Sequence, residues 1–364
     1  LTISIGRPGA RIKDTGYFYV LDGLRGIAAI GVVIRHTPRF FPSFSLPDSF
    51  LAVDIFFVLS GFVLAANYEK RFDAGMSVRE FTVARLIRLY PLYVIGLFLG
   101  VLTALLSVQH PSLEIKWSYP SIIFSLIPNL FMLPSPYPNN LHYLYPFNPV
   151  MWSIFFELLT NVLYVSFYRL SKNPRLMGMF LTAAAIFLVV MGAAHQSLNS
   201  GFDWYSFHVG LARVLYSFPI GVLLYRMSRG RRNVLFFPPV LLFLLIIGIF
   251  ALSMRLSAQL CCVLIVFPAI VYVASLTPVS AIGRRIYAFL GMTSFGIYAL
   301  HKGLYQLILG AMIKFGAPNT KIYFSYIGPL FIVFVLLVSV LVEIRVDSPA
   351  RLYLRKRFTH QRTL

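Results

Sequence analysis

Acidic side chains are scarce in this chain: 12 Asp and Glu stand against 32 Lys and Arg, and all charged residues together make up 12% of 364. A soluble domain carries about 25%, so water is not the main solvent here. Cysteine is nearly absent. The two that occur, Cys261 and Cys262, are neighbours in an apolar run, which excludes a disulfide framework and supplies no metal spacing. The seven histidines form no HExxH or similar zinc pattern, so no metal is expected. A polar linker, a Pro/Ser-rich break and an internal repeat are also missing, which argues for a single domain over 1–364. The formal charge of +20 would suggest nucleic acid on a soluble surface. Here the basic residues fall mostly between apolar runs, where topology and anionic lipid head groups account for them, and no nucleic-acid partner is expected.

What the chain has is apolar length. Ten stretches approach the roughly 20 residues that cross a hydrocarbon core: 17–37, 50–68, 88–108, 150–169, 176–194, 207–227, 234–254, 257–276, 286–312 and 322–343. An eleventh, Ile122 to Leu133, is short and interrupted at Pro128. With the amino terminus inside, ten spans gather the groups around Arg85, Lys172, Arg229, Arg284 and Arg355 on one side; an eleventh would move the later groups across. Ile122 to Leu133 is therefore expected to be re-entrant or interfacial, buried against protein. The expected fold is all-α: a polytopic membrane protein with about ten transmembrane helices. A cytoplasmic leader (1–16, with Arg7, Arg11 and Lys13) precedes the core (17–343), and a basic cytoplasmic tail (344–364) follows. The first span lacks a cleavage site and reads as retained. Residues 134–149, rich in Pro, Asn and Tyr, read either as an ordered lid or as a plain connector.

Ionisable residues inside spans are costly, so each is a functional candidate. Arg25 and His36 are separated by ten residues; eleven steps of about 100° return to nearly the same face, about 16 Å further along the helix. His36 fits either a packed interfacial residue or a general base. Asp54 lies at a similar depth and fits either a helix cap or a group that orients His36. Arg85 and Arg88 share a face at a span start, where they either flank the membrane or grip a phosphate. Ser153, Glu157 and Asn161 form one polar stripe, with Glu157 well inside the membrane. Ser294, Tyr298, His301 and Tyr305 form another, structural or ligand-binding. Arg213 needs a carboxylate, carbonyl or water nearby. His110, His142, His195, His208 and His360 fall in or near loops and the tail.

The segments LDGLRGIAAIGVVIRH, VDIFFVLSGFVLA, ARLIRLYPLY, WSIFFELLTNVLY, SFGIYALH and VEIRVDSPARLYLRKR occur in that order along the chain. Together they resemble the acyltransferase-3 family of multispan membrane O-acyltransferases. The resemblance implies transfer of an acyl group, by default acetyl, from a cytoplasmic acyl-CoA to a sugar hydroxyl of a cell-surface polysaccharide or lipid-linked glycan. It maps the family's arginine–histidine pattern to Arg25 and His36, its RxxR pattern to Arg85 and Arg88, and its tryptophan–serine helix to Trp152, Ser153 and Glu157. Leu158 and Leu159 stand where aromatic residues commonly follow that glutamate. The chain also resembles members that have no appended SGNH hydrolase-like domain.

These readings combine into an expected site. Arg25, Arg85 and Arg88 bind acyl-CoA, a co-substrate rather than a resident cofactor. His36, oriented by Glu157 or Asp54, acts as base or forms an acyl-histidine. Trp152, Ser153, Tyr298 and His301 contact the acceptor, a carbohydrate or glycolipid, or donate to the oxyanion. The expected location is a bacterial cytoplasmic membrane, with both termini inside and lipids as surroundings. The competing class is a transporter or flippase for a lipid-linked sugar.

Overall fold

The computed structural model describes residues 17–109, 117–136, 141–231, 235, 237–315 and 321–359. The leader 1–16, His110, Arg232, His360 and residues 137–140 of the expected loop lie outside them. Most of the described residues are helical, with one isolated bridge, Tyr143 to Asp203, and no strand among them. The helices are α1 (Tyr19–His36), α2 (Ala52–Asp73), α3 (Val78–Gln109), α4 (Tyr119–Leu130), α5 (Trp152–Ser166), α6 (Tyr168–Ser171), α7 (Pro174–His195), α8 (Phe207–Ser228), α9 (Pro239–Ala251), α10 (Leu256–Cys261), α11 (Phe267–Leu276), α12 (Ala281–Lys314), α13 (Lys321–Val342) and α14 (Ser348–Thr359). A π turn, Cys262–Val266, joins α10 to α11.

Among the described residues, seven helical segments are long and apolar enough to cross a membrane. Three more occupy the remaining expected spans. Of these, α1 has the length but carries Asp22, Arg25 and Arg35; α12 runs for 34 residues with Lys302 in its second half; α9 is apolar but only 13 residues long. The outside of the bundle is apolar: Phe98, Leu106, Met179, Ile186, Leu244 and Leu337 are exposed. Exposed apolar surface on that scale is stable in lipid rather than in water, which makes this an integral membrane protein.

At 12 residues, α4 rises only about 18 Å, about as long as α9, and what sets it apart is how it packs. It starts on a Ser118–Ser121 capping box and carries Pro128 inside. Tyr90 and Tyr93 of α3 donate to the carbonyls of Leu130 and Asn129 at 3.0 and 2.6 Å. The opposite face, with Ile123, Phe124 and Ile127, is exposed. The segment is therefore interfacial, and only one of its faces is buried against protein.

The most extensive helix contacts are α1 with α12 and α2 with α8. In the second pair, a Cβ placed on Gly61 would sit 2.0 Å from the Phe218 carbonyl oxygen, and one on Gly221 would sit 2.1 Å from that of Val58. Only glycine lets these two backbones approach so closely. The expected basic tail is largely a helix: α13 runs through a π turn, Glu343–Asp347, into α14, which packs on α3. Arg85, Arg226, Arg284 and Arg351 thus gather at one end of the bundle, here called the basic end; His36 lies toward the far end.

Candidate active site

A cavity of about 550 Å³ opens at the basic end between α1, α2, α3, α5, α12 and α14. Six arginines line it: Arg25, Arg71, Arg85, Arg88, Arg351 and Arg355, against the carboxylates Asp22, Glu157 and Glu343. Each helix turns one polar stripe inward because lipid takes the apolar remainder. Arg25 pairs with Asp22 at 3.0 Å, and Asp22 also accepts from the Tyr17 hydroxyl. Glu157 Oε1 accepts from Arg85 Nη2 at 2.7 Å and from the Ser60 hydroxyl at 2.7 Å. With its amide oxygen turned toward Arg85, Asn161 accepts from Arg85 Nε at 3.0 Å. The Arg88 Nη1 lies 3.6 Å from Asp347, over the Phe295 ring, and makes no hydrogen bond to the described residues. Arg351 pairs with Asp347 at 3.1 Å and with Glu343.

The cavity ends at Ser153 and Tyr298, whose hydroxyls are 2.7 Å apart. Tyr298 also bonds the Val150 carbonyl at 2.8 Å, and Phe56 packs edge-on against its ring. One turn further along α12 comes His301, fully buried. Its Nδ1 lies 3.0 Å from the Ile297 carbonyl oxygen and its Nε2 lies 3.3 Å from His36 Nδ1. A carbonyl only accepts, so His301 Nδ1 carries the proton and its Nε2 is the acceptor. His36 then donates from Nδ1, which leaves His36 Nε2 with a free lone pair.

His36 lines a second cavity, about 280 Å³, with Arg35, Arg39, Thr103, Trp117, Lys302 and Gln306 among its walls. The two cavities share no lining residue. Two stripes connect them. On α1, Arg25 borders the first cavity and His36 the second, as their spacing implies; on α12, Ser294 and Tyr298 border the first and Tyr305 the second.

Several expected assignments need correction. Asp54 does not orient His36: it is fully buried against Arg213, with Nη2 to Oδ2 at 2.6 Å and Nε to Oδ1 at 3.1 Å. Arg213 is completed by the carbonyls of Ser200 and Phe50, both at 3.0 Å. Glu157 does not reach His36 either, because Arg85 and Ser60 hold it at the basic-end cavity. Trp152 borders neither cavity and stacks over the Arg213 guanidinium at 5.4 Å. His301 contacts His36 from the buried side rather than lining a ligand cavity. Residues missed at the sequence level are Tyr17, Asp22 and Ser60. Arg351 and Arg355 sit in the closing VEIRVDSPARLYLRKR segment, whose basic character was the available signal.

Within the 134–149 stretch, residues 141–149 are tied to the bundle. Leu144 donates to the Phe202 carbonyl at 3.0 Å, Tyr145 to that of Met132 at 2.6 Å, and Asn148 to that of Ala299 at 2.9 Å.

Helices crossing a membrane around a charged internal cavity define a polytopic membrane protein with an enzyme-like site. Residues 18–344 match the family model described as an acyltransferase domain, and the chain belongs to that family, acyltransferase-3. Protein 2 in the picA locus of Rhizobium radiobacter is 35% identical over 187 residues, covering 49% of this chain and 95% of that protein. A candidate O-acetyltransferase of Staphylococcus aureus (strain COL) is 31% identical over 116 residues, 31% of this chain and 18% of that protein. The peptidoglycan O-acetyltransferase OatA of Listeria monocytogenes is 27% identical over 183 residues, 44% of this chain and 26% of that protein. The chain therefore aligns with only a minor part of these last two. No solved structure matches it.

Proposed function

We propose that the protein moves an acyl group, most simply acetyl, from acyl-CoA bound at the basic end to a sugar hydroxyl presented at the far end. The acceptor belongs to a cell-surface polysaccharide or a lipid-linked glycan. The positive-inside tendency makes the basic end cytoplasmic, with both termini on that side of a bacterial inner membrane. The observation that carries the reading is the His301–His36 contact at 3.3 Å, which leaves a lone pair on His36 Nε2 beside the far cavity.

Arg25, Arg85 and Arg88 hold the phosphates of the donor, where guanidinium forks suit phosphate oxygens. Arg88 Nη1, without a hydrogen bond to the described residues, is the readiest to donate to a phosphate oxygen. The thioester arm runs along the α1 and α12 stripes toward Tyr298. For it to reach His36, the Ser153–Tyr298 hydroxyl pair must part, and either hydroxyl then becomes a donor for the oxyanion. His36 Nε2 takes the acceptor hydroxyl proton as the oxygen attacks the thioester carbon. The tetrahedral intermediate collapses, the C–S bond breaks, and His36 returns the proton to the departing CoA sulfur.

The test is His36→Ala in purified protein given acetyl-CoA and an envelope glycan acceptor. Losing the base should slow transfer by about 10²–10⁴-fold while coenzyme A still binds. Wild-type turnover by the variant would reject the assignment.

A further inference from the structure

Half of the arginines in the basic-end cavity have no role in the acyl-transfer steps. Arg71, Arg351 and Arg355 line it beside Arg25, Arg85 and Arg88. Arg25 is matched by Asp22 and Arg85 by Glu157. Arg88 and Arg351 approach one and the same oxygen of Asp347, at 3.6 and 3.1 Å, and Arg351 also pairs with Glu343. Arg71 lies over the Tyr68 ring at 5.1 Å and pairs with no carboxylate among the described residues. Arg355 is already engaged. Four carboxylates thus stand against six guanidiniums.

Asp347 fixes the place of Arg351. The carboxylate is 0% exposed, yet neither of its oxygens makes a hydrogen bond to the described residues, and nor does Arg88 Nη1 beside it. A single carboxylate shared in this way clips α14 to α3 without using up the N–H groups of either guanidinium. Arg88 and Arg351 are therefore neighbours across one oxygen atom, each able to turn further donors to another anion. Glu343, Asp347, Arg351 and Arg355 are spaced four apart, so they form one stripe that runs through the π turn into α14. Because α14 continues the course of α13 toward the basic end, Arg351 lies one turn, about 5.4 Å, nearer the cavity mouth than Asp347. Arg71 reaches the same mouth from the last turn of α2 and is exposed there.

We infer that Arg71 and Arg351 form a second phosphate subsite at the mouth of this cavity, which takes the ribose 3′-phosphate of coenzyme A while the inner arginines hold its diphosphate. The inference rests on the acyl-CoA reading and adds to it what the donor must carry. In coenzyme A one ribose separates the 3′-phosphate from the diphosphate, so the two anions are neighbours, as Arg351 and Arg88 are. Phosphopantetheine carried on a protein has a single phosphodiester and no ribose, and it leaves the outer arginines unmatched. The donor class is therefore a free coenzyme A thioester rather than an acylated carrier protein.

The experiment is calorimetric titration of the purified full chain in detergent with coenzyme A and with dephospho-coenzyme A, which lacks only the 3′-phosphate. Coenzyme A should bind about tenfold or more tightly, the scale of a lost pair of charge-assisted contacts. In Arg71→Gln with Arg351→Gln its affinity should fall to that of dephospho-coenzyme A, whose own binding moves less than about twofold. Arg71→Gln alone, at an exposed position outside the Asp347 clip, should reduce the preference at least threefold and gives the reading if the double variant does not fold. Equal binding of the two ligands by the wild type, a preference that survives both variants, or an equal loss for both ligands overturns the subsite. Coenzyme A binding without a preference removes the subsite and keeps the donor cavity, whereas binding of neither ligand removes the acyl-CoA reading together with it.

Discussion

Among the carboxylate–arginine pairs of the described residues, Asp54–Arg213 and Glu157–Arg85 differ in what surrounds them. Asp54 and Arg213 meet at 2.6 Å with side chains 0% and 1% exposed. Glu157 and Arg85 meet at 2.7 Å with side chains 16% and 15% exposed, on the wall of the basic-end cavity. The first pair is closed: two carbonyls and the Trp152 ring complete the guanidinium, so nothing is left to bind. The second is open, and the cavity reaches both partners. Similar chemistry thus serves as a fastener in one place and as an adjustable wall in the other. Access, rather than residue type, separates the two roles.

The sharpest way to break the comparison is Asp54→Ala, which strands the Arg213 charge in the core. Breaking one side of a buried pair costs about 3–5 kcal/mol, so the variant should accumulate poorly and melt far below wild type. Asp54→Leu with Arg213→Met should recover folding and retain acyl transfer; a stable but inactive double variant would move this pair into the site. Next in size is Arg85→Ala with Arg88→Ala. Two charge-assisted contacts at about 1.5–3 kcal/mol each should weaken coenzyme A binding a hundredfold or more, measurable by calorimetry, and unchanged affinity would empty that cavity of its assigned ligand. Smaller again is Glu157→Gln. Arg85 keeps access to water and to Asn161, so melting should move little while turnover falls about tenfold; a melting loss as large as that of Asp54→Ala would make the two pairs equivalent. The least effect belongs to Ser60→Ala, which deletes one hydrogen bond to Glu157 and should cost about 0.5–1.5 kcal/mol, seen as a slight melting shift.

Much of this was legible in the chain. Hydrophobic length and charge parity together located the ten helical stretches and kept α4 from spanning, because bilayer thickness and loop charge act on short segments. The Arg25 to His36 spacing placed one residue at each cavity, since helical geometry is local. Pairing was not legible. Asp54 was matched to His36 by depth, but depth says nothing about rotation. Arg213, flagged as needing a partner, stands 159 positions from Asp54. His301 was read as a ligand contact because its helix face was right; its hydrogen bond to His36 depends on how α1 and α12 pack. The closing basic segment looked like a tail because its charges mask the helix that carries Arg351 and Arg355 into the cavity.

The layer in which Tyr298 bonds Ser153 and Val150 has a consequence for cellular energetics. Moving one elementary charge across a membrane potential of 100 mV releases about 2.3 kcal/mol. A polar passage left open through this bundle would let protons run down that gradient. Closed as it is, the hydroxyl layer acts as a seal against leakage. Under the proposed acyl-CoA reading, the seal would yield to the slender, neutral acyl arm while the phosphates stayed behind among the arginines, so that substrate would cross as a plug rather than through an opening.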